Sequence, residues 1–243
     1  MATPALVPQR AAGMLARLER NVQRVIVGKS ATVRLAAAGL VAGGHVLLQD
    51  LPGTGKTMLA RSIAASIGGE FRRVQCTPDL LPADITGASI FNQRQGTFEF
   101  VPGPVFANVL LADEVNRATP RTQSALLEAM AEAQVTVEGV THKLPRPFFV
   151  IATQNPHEFH GTYPLPEAQL DRFLVACEMG APTAEEAEEI LASRQHGDPI
   201  AEIEPVLSSA EIVELQQACL RVVVAGAIRT YIVELLAAVR ARP

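Results

Sequence analysis

Nowhere does this chain approach the roughly 20 consecutive apolar residues that a membrane-crossing helix needs. Its N-terminus, MATPALVPQRAAGMLARLER, also lacks the basic start and continuous apolar stretch of a secretion signal. The reading is a cytoplasmic protein with no membrane insertion. Positive charge is not in excess: 21 Lys and Arg stand against 25 Asp and Glu, for a formal net charge of −4. No basic field is available to hold a polyanion, so neither nucleic acid nor an anionic membrane surface is suggested as a partner. Cysteine is scarce, and Cys76, Cys177 and Cys219 are widely separated, odd in number and without a CxxC pair. This argues against a disulfide framework or zinc site and for reduced core thiols in a reducing compartment. Internal repeats and low-complexity tracts are lacking as well.

What is present suits a globular α/β protein. Of 243 residues, 48% are hydrophobic, enough for a sizeable core. HVLLQ, FRRVQC, VLLADE and FFVIATQN read as short strands, and residues 11–27, 32–42 and 57–67 carry apolar positions at helical spacing. TPRTQSALLEAMAEA reads as a capped amphipathic helix and PEAQLDRF as a short one. GASIFNQRQGTFEFVPG and QVTVEGVTHKL read as hairpins, the second with Glu138 and Gly139 in its turn. Strands alternating with helices imply a parallel sheet covered on both faces. Beyond Pro182 the composition turns helical, in TAEEAEEILASRQ, SSAEIVELQQACL and AIRTYIVELLAAVRAR. The first two open with a Thr or Ser cap and acidic first turns. The expected organisation is an α/β core over residues 1–181 and a small helical domain over 182–243.

The chemistry concentrates where strands end. In HVLLQDLPGTGKT, residues 45–57, glycines at 53 and 55 let backbone amides turn around an anion at a helix start. Lys56 is placed to reach β and γ phosphates and the Thr57 hydroxyl to bind Mg²⁺, although Asp50 replaces the glycine that usually opens such a loop. Independently, VLLADE puts Asp113 and Glu114 at the carboxyl end of a strand, where ligands of parallel sheets gather. Asp113 can hold Mg²⁺ and Glu114 can polarise an attacking water. Asn155, ending FFVIATQN, either orients water or a γ-phosphate or shapes the turn before Pro156, and the residues alone leave both open. Arg172, beside Asp171, can stabilise transition-state charge, but by itself reads more readily as a surface ion pair. His157, Glu158 and His160 fall one residue short of the helical HExxH pattern and follow a proline, which argues against a metal there. The hairpin residues Phe98, Phe100, Val135 and Val137 read as packing against the sheet, by the alternation rule.

Together these fragments make the chain resemble the MoxR family of AAA+ ATPases, from about Val25 to Ala192. The resemblance rests on the phrases TPDLLPADITG, GPVFANVLLADEVNRATPRTQSALLEAM and ATQNPHEFHGTYPLPEAQLDRF. It implies a P-loop NTPase sheet domain with a helical lid, and ATP between them and between neighbouring subunits of a ring, commonly a hexamer. Gly53, Thr54, Gly55, Lys56 and Thr57 match the Walker A loop, with Met58 following on its helix. Asp113 and Glu114 match the Walker B pair, Asn155 the sensor 1 position and Arg172 the arginine finger. Val27 and Gly28, in VIVGK, match the segment against adenine, and the hairpins match two inserts near the ring's pore. The lid ends at Arg240, Ala241, Arg242 and Pro243 without a GASPR-type sensor 2 phrase, and Arg229 stands in the wrong context for one; a truncated or incomplete lid is expected. The implied activity is Mg²⁺-dependent ATP hydrolysis driving remodelling or maturation of client proteins, with a von Willebrand factor A domain protein as partner. The alternatives are a nucleotide-responsive assembly module with negligible turnover and a nucleic-acid motor.

Overall fold

The central strands are apolar on both faces, which is what a sheet buried between two helical layers requires. The computed structural model describes residues 8–156, 161–195 and 197–241. Strands β1 (Val46–Gln49), β2 (Phe71–Gln75), β5 (Val109–Asp113), β8 (Phe149–Gln154) and β9 (Val175–Cys177) form one parallel sheet in the order β2-β5-β8-β1-β9. Because side chains alternate across a strand, the central strands divide between two cores. Val109, Leu111, Phe149 and Ile151 join one, with Leu18 and Val22 of α1 (Pro8–Gln23), Leu40 of α2 (Ser30–Ala42), and Leu59 and Ile63 of α3 (Lys56–Ser66). Leu110, Ala112, Val150 and Ala152 join the other, with Leu126 and Met130 of α5 (Pro120–Glu132). A short helix, α4 (Pro82–Thr86), packs beside α5.

Two hairpins stand off this sheet: β3 (Gly87–Asn92) with β4 (Thr97–Pro102), and β6 (Gln134–Val137) with β7 (Val140–Lys143). The turn of the second takes Glu138 and Gly139 to φ values of 50° and 80°, the left-handed pair that a tight hairpin demands. Their apolar residues depart in part from the expected packing. Val135 is buried, whereas Phe98 is 68% exposed and meets Phe91 across its own hairpin, ring centroids 5.2 Å apart. Phe100 stacks on His142 of the second hairpin at 3.9 Å, so one insert rests on the other rather than on the sheet. The thiols differ too: Cys76 is buried and Cys177 half-buried, but Cys219 is exposed, because the helix that carries it turns that face outward.

Between β8 and β9 lies α6 (Glu167–Leu170), and past the sheet come α7 (Ala184–Arg194), α8 (Ser209–Leu220) and α9 (Gly226–Arg240). Thr183 and Ser208 close capping boxes with Glu186 and Glu211 at the starts of α7 and α8. Ile212 and Leu215 carry α8 into the first core, where Gln216 Nε2 donates to the Leu40 carbonyl at 2.8 Å. α7 and α9 have no buried residue.

His45, just before β1, links three elements. Its Nδ1 accepts the Val150 N–H at 3.0 Å, which leaves Nε2 to donate to the Met130 carbonyl at 3.1 Å. Burial lowers its pKa below 6.5, outweighing the Met130 bond, which raises it. The unfolded chain therefore takes up the proton more readily between the folded pKa and 6.5. Stability should be full above pH 6.5 and fall as pH drops below it, by at most about 1.4 kcal/mol per pH unit from this group. Denaturant unfolding from pH 7.5 to 5 checks this; a His45→Gln variant should lose that component of the slope.

Candidate functional site

The carboxyl ends of β1, β5 and β8 lie side by side, and the residues at and just beyond those ends line one cleft of about 350 Å³. After β1 the Asp50 N–H continues the ladder to Gln154 O at 3.1 Å, and the chain then bends into α3. Gly53 and Gly55 have φ of 85° and 93°. A Cβ on Gly53 would meet nothing within 4 Å, so the left-handed backbone, not crowding, calls for glycine there. The free amides at the start of the 11-residue α3 make a natural anion cradle. Lys56 folds back on this loop, donating from Nζ to the carbonyls of Asp50 and Leu51, each at 2.9 Å. Desolvation lowers its pKa, against the opposing pull of Asp50, Asp113 and Glu114. Thr57 lines the same cleft.

Opposite stand the two acids. Thr153 of β8 donates its hydroxyl to Asp113 Oδ1 at 2.6 Å while accepting the Glu114 N–H at 2.8 Å. Glu114 leaves the strand with φ of 55°, and its Oε2 accepts from Gln75 at 2.8 Å and Arg117 at 2.9 Å. Arg73 of β2 pairs with Asp113 Oδ2 at 2.5 Å. Asn155 lines the cleft beside them. Sequence reasoning missed Arg73, Gln75, Arg117 and Thr153; the available signal was polar residues near strand ends, at 73 and 75 in FRRVQC and 153 in FFVIATQN. Cys76 adjoins the acids, its N–H on the Asp113 carbonyl at 2.8 Å. Burial, then the charges of Asp113 and Glu114, push its thiol up to about 12, so it supplies no nucleophile near neutral pH.

A second, more apolar cavity adjoins the loop, lined by Ile26, Val27, Gly53, Met58, Met179 and Ile190 among others, with Thr54 and Gly55 at its edge. It shares Gly53 and Gly55 with the lining of the first cleft. Gly28, with φ of 72°, presses against α7: a Cβ there would lie 1.9 Å from Glu186 Oε1. Lys29 completes this contact, 3.0 Å from Glu186 Oε2 and bonded to the Ala181 carbonyl at 2.9 Å.

Arg172 is not brought to the cleft. It is exposed beyond α6, in a surface depression shared with Glu128 and Glu132 of α5. His157, Glu158 and His160 lie outside the described residues. Among the described residues no group of three or more His, Cys, Asp or Glu is placed to hold a metal; the oxygens of Thr57 and Asp113 line the cleft, together with those of Asp50 and Glu114. No described helix is long and apolar enough to cross a membrane.

The family described as ATPase family associated with various cellular activities (AAA) matches residues 45–175. The uncharacterized protein YeaC of Bacillus subtilis is 50% identical over 230 residues, covering 95% of this chain and 72% of YeaC. Chaperone MoxR1 of Mycobacterium tuberculosis is 44% identical over 220 residues, 90% of this chain and 58% of that one. Protein MoxR of Methylorubrum extorquens is 36% identical over 172 residues, 69% of this chain and 50% of its own. The chain thus spans between half and three fifths of the MoxR-named relatives. Among solved structures, a Cytophaga hutchinsonii protein with a provisional ATPase description superposes with a TM-score of 0.83 at 39% identity, covering 93% of this chain and 69% of that chain.

Proposed function

Because this chain belongs to the MoxR family of AAA+ ATPases, we propose that it binds ATP with Mg²⁺ in the cleft at the strand ends, hydrolyses it, and uses the cycle to remodel or mature client proteins. One observation carries the reading: a glycine-turned loop with Lys56 and Thr57 faces Asp113, Glu114 and Asn155 across a single cleft. The amides around Gly53, Thr54 and Gly55 hold the phosphates, and Lys56 exchanges its carbonyl partners for phosphate oxygens. Thr57 and Asp113 hold Mg²⁺, which neutralises phosphate charge when bound. Glu114 takes the proton from the attacking water, and Asn155 orients that water. Val27, Gly28 and Met58 border the base. Arg172, outside its own cleft, serves the neighbouring subunit of a ring, a hexamer by family resemblance.

The core over 1–181 and lid over 182–243 are the working parts of this proposal, the setting is cytoplasmic, and the client-side partner carries a von Willebrand factor A domain. The name of MoxR1 as a chaperone supports the remodelling role. A nucleic-acid motor is disfavoured by the net charge of −4. A second reading, assembly with negligible turnover, draws support from Glu114, whose carboxylate is already held by Gln75 and Arg117.

Phosphate release, run beside sizing with and without ATP, separates the two readings. Ligand at 100-fold its Kd should stabilise the chain by about 2.7 kcal/mol. Lys56→Ala should weaken nucleotide binding at least about tenfold and, at the same ligand concentration, remove about half of that stabilisation or more. Unchanged stabilisation in this variant would move the phosphate site elsewhere.

A further inference from the structure

Asp50 stands where such loops ordinarily begin with glycine, and its side chain finds partners far along the chain. The carboxylate is buried, the residue only 8% exposed. Its Oδ2 accepts the backbone N–H of Met179 and, at 3.1 Å, that of Gly180. Met179 and Gly180 belong to the connector between β9 and α7, and Gly180 turns with φ of 70°. Met179 also packs inward: its Cε lies 3.7 Å from where a Cβ on Gly55 would sit, and it lines the apolar cavity. On its other side, Asp50 offers its carbonyl to Lys56 Nζ. One residue therefore touches the phosphate-binding lysine through its backbone and the lid connector through its side chain.

A buried carboxylate that loses its donors is left as an unpaired charge, which is costly. When Lys56 turns from the loop carbonyls to a phosphate, the loop is released on one side only. On the other it stays tied to residues 179 and 180. We propose that Asp50 is a positioning residue that makes the phosphate loop and the lid connector move as one unit, so that filling the phosphate site is felt at the lid. The inference rests on nucleotide binding in this cleft. A glycine at 50 would give the two amides to water and let the loop move alone.

The test uses the full chain, ADP as probe, and two readouts: ADP affinity and amide hydrogen exchange at residues 179 and 180 with and without saturating ADP. In the unsubstituted chain ADP should slow that exchange. Asp50→Ala should bind ADP about tenfold more weakly and show connector exchange indifferent to saturating ADP. Asp50→Asn keeps one oxygen for both N–H groups but removes the charge facing Lys56, and should restore most of the coupling. If Asp50→Ala does not fold, Asp50→Gly, the residue usual in such loops, gives the same comparison. Coupling that survives in the Ala or Gly variant overturns the inference, and so does an Asn variant that behaves like Ala, since loss of the Asp50 charge facing Lys56, and not of the acceptor for residues 179 and 180, would then be the cause. No ADP binding by the unsubstituted chain overturns the functional reading and the inference with it; ADP binding without a connector response overturns the inference alone.

Discussion

Glu114→Gln should hold ATP and release phosphate at least about 100-fold more slowly than the unsubstituted chain. The substitution removes a base while keeping size and an acceptor oxygen, so the bonds from Gln75 and Arg117 can persist. The left-handed backbone at 114 and the Thr153 bond to its N–H are untouched. Binding should survive because the phosphate loop and Asp113 are intact. Equilibrium nucleotide binding beside single-turnover hydrolysis reads both halves; turnover within a few-fold of normal would remove Glu114 from the chemistry.

A larger loss, about 1000-fold in turnover, is expected for Arg172→Ala. The structure keeps this arginine out of its own subunit's cleft, so ATP affinity should change little. Acting on a neighbour also has a diagnostic signature. Subunits carrying Arg172→Ala and subunits carrying Glu114→Gln are each inactive, but a mixture contains junctions where an intact Glu114 meets an intact Arg172. Mixing should recover a fraction of the activity. Recovery would be missing if Arg172 acted within its own subunit, and the loss in Arg172→Ala alone would be missing if it were only a surface ion.

Much of the fold was legible because its strands and helices carry clean periods. VLLAD and FFVIATQ are apolar along nearly all of their strands, and the two faces they fill were implied by that continuity. β9 escaped because three residues are too few to show a period, and the five residues of α4 likewise. In the site, Gly53 to Thr57 and Asp113 with Glu114 could be read because each group is local and sits at a strand end. Arg73, Gln75 and Thr153 could not. Their approach to the two acids depends on β2 and β8 flanking β5, with Gln75 opposite Asp113, and nothing in a linear sequence states that order. Asp50 is the sharper case. Read along the chain it was a missing glycine, and only the fold discloses the amides of Met179 and Gly180 that it serves.

Gly28 constrains how this protein can vary by descent. A methyl group at 28 would be strained by the left-handed backbone there and would collide with the end of the Glu186 side chain, which can yield only by giving up its part in the α7 capping box and its pairing with Lys29. Residues 28, 29 and 186 therefore form a heritable triplet. A lineage that gains a side chain at 28 must displace or shorten the side chain at 186 as well, and then forfeits the carboxylate half of the capping box and the ion pair in the same step, while the Thr183 hydroxyl keeps the 186 N–H.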